Sequence, residues 1–277
     1  MLRAAILMFI AMSLIPLGDT AGKLLVAEHG FYPFFLAWSR FLLGAVMVVL
    51  IMPWRQFDLR LFLDWRVWLR GLLITFGISS IMTALQTEPL PTVFGAFFIG
   101  PILSFFLSAW LLKEPVSKAR TLLLLTGFGG VLLVVKPGIA MSSGVGFALL
   151  AGLFYGSFLT ANRWLADVAP PRALLLSHML IGTVVLMVPG LTHIPEFTAK
   201  TTALTVLSAF ASMAGNLLLI LAYRMAPASK MAPLVYFQLI AATILGWAVF
   251  RDIPDPLTLL GLGVLIISGL GSATLKR

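Results

Sequence analysis

The chain has 277 residues, of which 60% are hydrophobic and only 10% are charged, and its mean hydropathy is +1.06. Because a soluble domain carries about a quarter of its residues as charged side chains, this composition excludes a soluble globular protein and indicates an integral membrane protein. The net charge of +9 therefore reflects membrane topology rather than nucleic-acid binding, and the absence of cysteine excludes disulfides and thiol chemistry.

Ten apolar segments are long enough to be membrane spans, since a helix needs about 20 residues to cross roughly 30 Å of hydrocarbon. They run over residues 3–26, 32–53, 69–87, 91–112, 119–136, 145–167, 172–191, 202–225, 230–250 and 257–275. Between the second and third segments, residues 54–68 interleave aromatic and arginine side chains, which is typical of an amphipathic segment in the headgroup region. The sequence therefore predicts an all-α membrane protein with ten transmembrane helices.

The chain contains an internal repeat. Residues 84–114 recur without a gap at residues 222–252, a shift of 138 positions. A repeat at half the chain length predicts two five-helix domains, residues 1–138 and residues 139–277. Pairs that match at the same shift include Gly18 with Gly156, Pro33 with Pro171, and Arg40 with His178.

The basic residues predict the orientation of these spans. With the N-terminus in the cytoplasm, 14 of the 19 basic residues fall in inside segments, 3 fall outside, and 2 lie within spans. The positive-inside rule then places both termini in the cytoplasm. Since each repeat has an odd number of spans, the second copy is inverted, which is the ground plan of many secondary transporters.

A family resemblance rests on the two gapless halves and on four local motifs. The motifs are Ala84-Leu85 before a proline-bearing turn, Pro101 within a helix, Leu111-Leu112-Lys113-Glu114 at a helix end, and the Gly127–Val131 run. Together they resemble the drug/metabolite transporter superfamily and, within it, ten-helix EamA-type permeases. The resemblance implies a carrier of the bacterial inner membrane for small metabolites, commonly amino acids moved outward, while similar permeases take up riboflavin or other nutrients.

Arg40 and His178 are the first candidates for substrate binding. Arg40 lies about nine residues into its span, roughly 13 Å deep at 1.5 Å per residue, and His178 occupies the matching position in the seventh span. A guanidinium at this depth is suited to a carboxylate or phosphate group. The alternatives are that Arg40 braces backbone carbonyls or snorkels, and that His178 is a hydrogen-bonded core histidine.

Asp19 and Lys23 lie four residues apart on one face of the first span. One reading is an i,i+4 ion pair near the interface. The other is coupling, because Asp19 is the only carboxylate well inside an apolar run, and Lys23 would set its proton affinity. No second acid is suitably placed, so facilitated diffusion stays open.

Further polar and aromatic residues within the spans complete the candidate site. We expect the cavity to be lined by Trp38, Tyr155, Asn216, Tyr236 and Gln238. Aromatic residues in membrane helices are more often core or belt residues, which is the alternative for each. The sequence has no His-Glu-x-x-His, Gly-x-Ser-x-Gly or phosphate-loop motif, and its three histidines are far apart, which argues against an enzyme, a metal site or a cofactor.

These observations predict a secondary transporter that moves a small polar organic metabolite, an amino acid or related compound, outward across the bacterial inner membrane by alternating access. Its expected partners are that substrate and membrane lipid, with no nucleic acid, and the protein is a monomer or homodimer. Uptake of a ring-bearing nutrient such as riboflavin is the alternative within the same class. A non-transporting membrane scaffold is the alternative from another class.

Overall fold

The computed structural model describes residues 2–51, 58–115, 117–135, 142–251, 253 and 255–274. Over this part of the chain every regular element is a helix, which confirms the all-α prediction. Six helical segments are long and apolar enough to cross a membrane: Arg3–Glu28, Pro33–Ile51, Trp65–Thr87, Thr92–Leu111, Ser143–Trp164 and Ala199–Met225. The remaining four predicted spans overlap shorter apolar helices: Thr121–Leu133, Pro171–Val185, Leu234–Phe250 and Leu259–Ser268.

The first half of the chain contains six α-helices. They are α1 (Leu2–Lys23), which continues as a π-helical turn (Leu24–Glu28), then α2 (Pro33–Ile51), α3 (Trp65–Thr87), α4 (Leu90–Phe97), α5 (Ile99–Leu111) and α6 (Lys118–Val135), with a 3-10 turn (Leu59–Leu63) before α3. The second half comprises α7 (Ser143–Trp164), α8 (Pro171–Val185), α9 (Met187–Leu191), α10 (Ala199–Met225), α11 (Ala228–Met231), a 3-10 turn (Ala232–Tyr236), α12 (Phe237–Phe250) and α13 (Pro256–Thr274).

Local side-chain chemistry sets several helix starts. Asp64 accepts a hydrogen bond from the Arg66 backbone N–H at 2.9 Å and so caps α3. The Arg66 guanidinium also hydrogen-bonds this carboxylate, which holds the pKa of Asp64 below its usual range. Thr198 and Thr201 form a reciprocal capping box at the start of α10.

The helix bounds of the two halves correspond at the shift of 138 residues. Helices α2 and α8 begin at Pro33 and Pro171, where a proline needs no intrahelical hydrogen-bond acceptor. The break between α4 and α5 falls at Phe98, and the matching position, Tyr236, ends the 3-10 turn before α12. Each half therefore contains one apolar helix that is interrupted at an equivalent point.

The same correspondence appears in the backbone conformation. Among the described residues, Lys113 and Arg251 are the non-glycine residues with positive φ, at 52° and 62°. They stand 138 positions apart, each just after a long apolar helix, and Arg251 forms the left-handed C-cap of α12. A left-handed residue is an uncommon helix terminator for side chains other than glycine, so the two halves share an unusual local geometry.

The halves are interleaved rather than side by side. Helix α1 packs against α10, and α3 packs against α7, so each contact joins one helix from each half. Helix α2 contacts α8, and α6 contacts α13. This arrangement brings α1, α2, α3, α7, α10 and α12 together around the middle of the molecule, where the candidate site lies.

The predicted amphipathic segment is described only in part. Residues 52–57, which include Trp54, Arg55 and Phe57, lie outside the described residues. The remainder forms the 3-10 turn, and its apolar side chains are exposed, with Leu63 at 85% and Trp65 at 65%. Such exposure is consistent with contact to lipid, and the headgroup location stays a prediction.

Candidate functional site

An internal cavity of about 380 Å³ lies between helices of both halves. Five residues predicted from the sequence line it: Asp19, Arg40, Tyr155, Asn216 and Gln238. The rest of the lining is apolar or small: Ile15, Ile74, Gly77, Ile78, Ile81, Phe97 and Ser212. A few convergent polar groups in an otherwise apolar wall are typical of a small-molecule site.

Asp19 and Arg40 form an ion pair in the wall of this cavity. The Arg40 Nη1 donates to Asp19 Oδ1 at 2.7 Å, and the two side chains are only 2% and 4% exposed. The pair joins α1 to α2, so one charge of each sign is presented side by side at the cavity. Breaking such a pair on one side leaves an uncompensated buried charge, which costs about 3–5 kcal/mol.

The position of Asp19 depends on close packing between α1 and α10. A Cβ on the neighbouring Gly18 would lie 3.0 Å from the Ser208 carbonyl oxygen and 3.2 Å from Arg40 Nη2. The Ser208 hydroxyl donates to the Gly18 carbonyl at 2.8 Å. The small residue therefore lets the two backbones approach, and this contact sets where Asp19 meets Arg40.

Polar atoms in the cavity wall lack partners. Neither amide atom of Gln238 has a hydrogen-bond partner among the described residues, and the same holds for Asn216 Oδ1 and the Tyr155 hydroxyl. All three side chains are at most 5% exposed. Asn216 is held by its Nδ2, which donates to the Ser212 carbonyl at 2.9 Å. Because buried polar groups are normally hydrogen-bonded, these atoms are suited to a polar ligand.

The cavity also has an aromatic wall. The rings of Phe97 and Tyr155 lie 4.7 Å apart between centroids, at an interplanar angle of 37°. Phe97 ends α4 next to the helix break at Phe98, whereas Tyr155 comes from the middle of α7. This wall could contact an apolar or ring-bearing part of a substrate.

Two other predicted residues lie away from the cavity, in contacts with the backbone. The Lys23 Nζ donates to the Glu88 carbonyl at 2.6 Å and lies 5.3 Å from the Phe250 ring centroid. The partner that the structure gives to Asp19 is thus Arg40 rather than Lys23. The Tyr236 hydroxyl donates to the Leu124 carbonyl at 3.0 Å, within the packed core.

Trp38 and His178 are also separated from the cavity. Trp38 lines a second groove of about 910 Å³, which is almost entirely apolar and lies between α2, α9 and α10. His178 is fully buried, and its ring packs edge-to-face on Phe158 at 5.7 Å. The expected pairing of Arg40 with His178 at one site is therefore not found, because the two side chains face different helices.

Sequence reasoning missed Arg70, which is fully buried. Its Nε donates to Asn162 Oδ1 at 2.7 Å and its Nη1 donates to the Leu174 carbonyl at 2.9 Å. The third span was predicted to begin at residue 69, which placed Arg70 at the membrane edge. Helix α3 begins at Trp65, more than one turn earlier, and this carries Arg70 into the interior.

Comparison with known proteins follows from this geometry. The sequence matches the EamA-like transporter family over residues 2–136 and 142–273. S-adenosylmethionine uptake transporters of Rickettsia bellii and Rickettsia conorii are 27% and 25% identical to it, and each alignment covers 72% of this chain and 68% of the relative. A probable transport protein of Saccharomyces cerevisiae is 34% identical over 85 residues, which is 31% of this chain and 23% of that protein.

A solved crystal structure shares the fold. It superposes with a TM-score of 0.75 over 97% of this chain and 96% of its own, at 16% sequence identity. The family match extends over most of the sequence, which confirms the resemblance to the drug/metabolite transporters and the prediction that the protein is not an enzyme. The chain belongs to the EamA-like transporter family, whose members are membrane transporters.

Proposed function

We propose that the chain is a secondary transporter that carries a zwitterionic metabolite of the amino-acid type through the cavity at Asp19 and Arg40. In this proposal ten transmembrane helices form two inverted five-helix repeats, residues 1–138 and 139–277, which exchange conformations to alternate access. The interrupted helices at Phe98 and Tyr236 support it, since broken helices at corresponding positions of two repeats mark the binding site in many carriers.

The inversion follows from the span count of each half. When α4 and α5 are counted as one interrupted span, α1 to α6 cross the membrane five times, so α7 enters from the opposite face. The matching left-handed residues Lys113 and Arg251 support equivalent architecture in the two halves. The excess of basic residues on one side places both termini in the cytoplasm of a bacterial inner membrane.

The buried Asp19–Arg40 pair is the observation that carries the proposed substrate class. A zwitterion presents a carboxylate to the Arg40 guanidinium and an ammonium group to the Asp19 carboxylate. Both protein charges then keep an opposite charge when the pair separates, so binding leaves no unpaired charge in the membrane. The unpartnered amides of Asn216 and Gln238 provide further hydrogen bonds, and the Phe97–Tyr155 wall contacts the remainder.

S-adenosylmethionine is the first substrate to test. It combines an amino-acid zwitterion with an adenine ring, and the aligned Rickettsia relatives are named as its uptake transporters. Inward movement is therefore the first direction to test, in place of the amino-acid export implied by the family resemblance. Amino acids without a ring and riboflavin are the other members of a substrate panel.

Counterflow in proteoliposomes tests the proposed function. We expect vesicles that contain the purified protein and unlabelled S-adenosylmethionine to accumulate labelled S-adenosylmethionine from outside, several-fold above protein-free vesicles. An imposed proton gradient should raise this accumulation if Asp19 couples transport to protons, and leave it unchanged for facilitated diffusion. A protein that accumulates no zwitterion from the panel supports the scaffold alternative instead.

Alternating access makes a separate prediction for single cysteines in this cysteine-free chain. A cysteine at Ser212, in the cavity wall, is expected to react with a membrane-impermeant thiol reagent from both membrane faces and to be protected by substrate. A cysteine at Leu122, which is 66% exposed on α6, serves as the lipid-facing control and should react from neither face. Absence of reaction at Ser212→Cys from either face contradicts alternating access.

A further inference from the structure

A second buried arginine lies beyond one end of the cavity. Arg70 is on α3, four residues before Ile74, so both side chains lie on the same helix face, and Ile74 lines the cavity. Phe158 lies three residues after the cavity residue Tyr155 on α7, with the two ring centroids 6.1 Å apart. The Arg70 guanidinium lies 5.1 Å from the Phe158 ring centroid. A short aromatic step therefore connects the cavity to Arg70.

The charge of Arg70 has no counter-ion among the described residues. Its two hydrogen-bond acceptors, Asn162 Oδ1 and the Leu174 carbonyl, are neutral, and no described carboxylate oxygen lies within 4.0 Å of it. Its Nη2 has no described partner, and neither do Asn162 Nδ2 or the two ring nitrogens of His178. We call Arg70, Phe158, Asn162 and His178 the Arg70 cluster. A buried cation without an anion is unfavourable, and in membrane carriers such groups mark substrate pathways.

The Arg70 cluster occupies the repeat-related position to the Asp19–Arg40 site. At the shift of 138 residues, Arg70 corresponds to Ser208, which contacts Gly18 next to Asp19, and His178 corresponds to Arg40. Both places are formed where three helices meet: α1, α2 and α10 at one, and α7, α8 and α3 at the other. Each has one buried arginine, but only the first has a carboxylate to neutralise it.

We propose that Arg70 is a second binding site for the anionic group of the substrate, used when the protein opens to the membrane face at which α3 begins. This inference rests on the proposed function. In the described conformation, Phe158 covers the guanidinium, and Asn162 and Leu174 occupy its donors. When α3 and α8 separate, the substrate carboxylate replaces the Leu174 carbonyl and supplies the missing negative charge. A carboxylate then passes from Arg40 to Arg70 without facing an uncharged barrier.

The competing interpretation is that Arg70 only ties α3 to α7 and α8. The variant Arg70→Gln separates the two, because glutamine keeps hydrogen-bond donors but removes the charge. We expect the half-saturating concentration of S-adenosylmethionine to rise about tenfold or more for entry from the face at which α3 begins, the effect expected for one charge-assisted hydrogen bond. Entry from the opposite face should change by less than about twofold on the same scale.

Two controls define the effect. The carboxyl methyl ester of S-adenosylmethionine lacks the anionic group, so its transport should be equally slow in wild type and Arg70→Gln. The variant Arg66→Gln removes an arginine from the same helix that is partly exposed and paired with Asp64, and it should leave both faces unchanged. Inside-out and right-side-out vesicles provide the two faces, and another zwitterion of the panel with its ester replaces this pair if the protein prefers it.

The outcomes separate this inference from the proposed function. A wild-type protein that transports while Arg70→Gln behaves like it from both faces overturns the role of Arg70 alone. Equal loss from both faces, for zwitterion and ester alike and with a lower melting temperature, shows a structural tie and also overturns it. A wild-type protein that carries no zwitterion removes the proposed function and this inference together.

Discussion

Replacing Arg40 by methionine is expected to lower transport of a zwitterionic substrate roughly a hundredfold or more. Methionine fills a similar length of the cavity wall but presents neither charge nor donors to a carboxylate. The variant also leaves the Asp19 carboxylate, now 4% exposed, without its cation. Loss of one partner of a buried pair costs about 3–5 kcal/mol, and each 1.4 kcal/mol corresponds to a factor of about ten in rate. Counterflow in proteoliposomes with equal amounts of reconstituted protein measures the loss.

A double variant distinguishes transport from folding. In Asp19→Asn combined with Arg40→Met, both charges are removed, so no uncompensated charge stays buried. We expect its melting temperature in detergent to recover towards the wild-type value while transport stays absent. Arg40→Lys keeps the charge but loses the planar fork, and it should retain part of the activity. Normal transport by the double variant would show that the pair only supports the structure.

The fold was largely predictable because the bilayer restricts the available solutions. Each span needs about 20 apolar residues and satisfies its backbone hydrogen bonds within a helix. The prolines at positions 33 and 171 then marked two equivalent helix starts, and the structure begins α2 and α8 at those residues. The internal repeat, read as a constant shift in sequence, matched the helix bounds closely for the same reason.

The helix breaks were less predictable. Residues 91–112 were predicted as one span, whereas α4 ends at Phe97 and α5 begins at Ile99. Pro101 explains the break, because it lacks the N–H that would bond to the Phe97 carbonyl. Sequence alone indicated that Pro101 lies within a span, but many membrane helices accommodate a proline as a kink. Whether the helix bends or separates depends on neighbouring helices, here α7, which the local sequence does not specify.

The site shows the same division between local and long-range information. Asp19 and Arg40 each stood out as charges in apolar segments, yet their pairing depends on how α2 is rotated against α1. Lys23 was the expected partner because four residues separate it from Asp19, a relation that sequence reveals directly. The match of Arg40 with His178 was equally visible, but a repeat identifies equivalent positions and not neighbouring ones. Their separate locations follow from the interleaving of the two halves.

The two halves differ most where the repeat brings glycine against a larger residue. At the shift of 138 residues, Gly156 corresponds to Gly18 and Gly100 corresponds to Gln238. In the contact between α5 and α7, both positions are glycine, and the backbones meet directly. In the equivalent contact between α1 and α12, the Gln238 side chain lines the cavity. The same helix pair is thus closed in one half and leaves room for polar atoms in the other.

Replacing Gly156 by alanine is expected to be among the most destabilising single changes in the protein. A Cβ at this position would overlap the Gly100 carbonyl oxygen and lie 2.9 Å from the Gly100 Cα. These are backbone atoms, so no side-chain rotation relieves the overlap, and α5 has to move away from α7. Overpacking of this kind typically costs about 1–3 kcal/mol, and the displaced α5 adjoins Phe97 in the cavity wall. We therefore expect a lower melting temperature in detergent together with reduced transport.

Gly146 provides a matched control within the same helix, because a Cβ there meets no atom within 4 Å. Gly146→Ala should be neutral or slightly stabilising, since alanine favours a helix over glycine by about 1 kcal/mol. A loss of stability in Gly156→Ala with none in Gly146→Ala therefore isolates the backbone contact from the general effect of adding a methyl group. Equal melting temperatures for both variants would contradict the direct contact between α5 and α7. Reduced transport at an unchanged melting temperature would instead mean that the contact is loose in the resting protein and closes during the transport cycle.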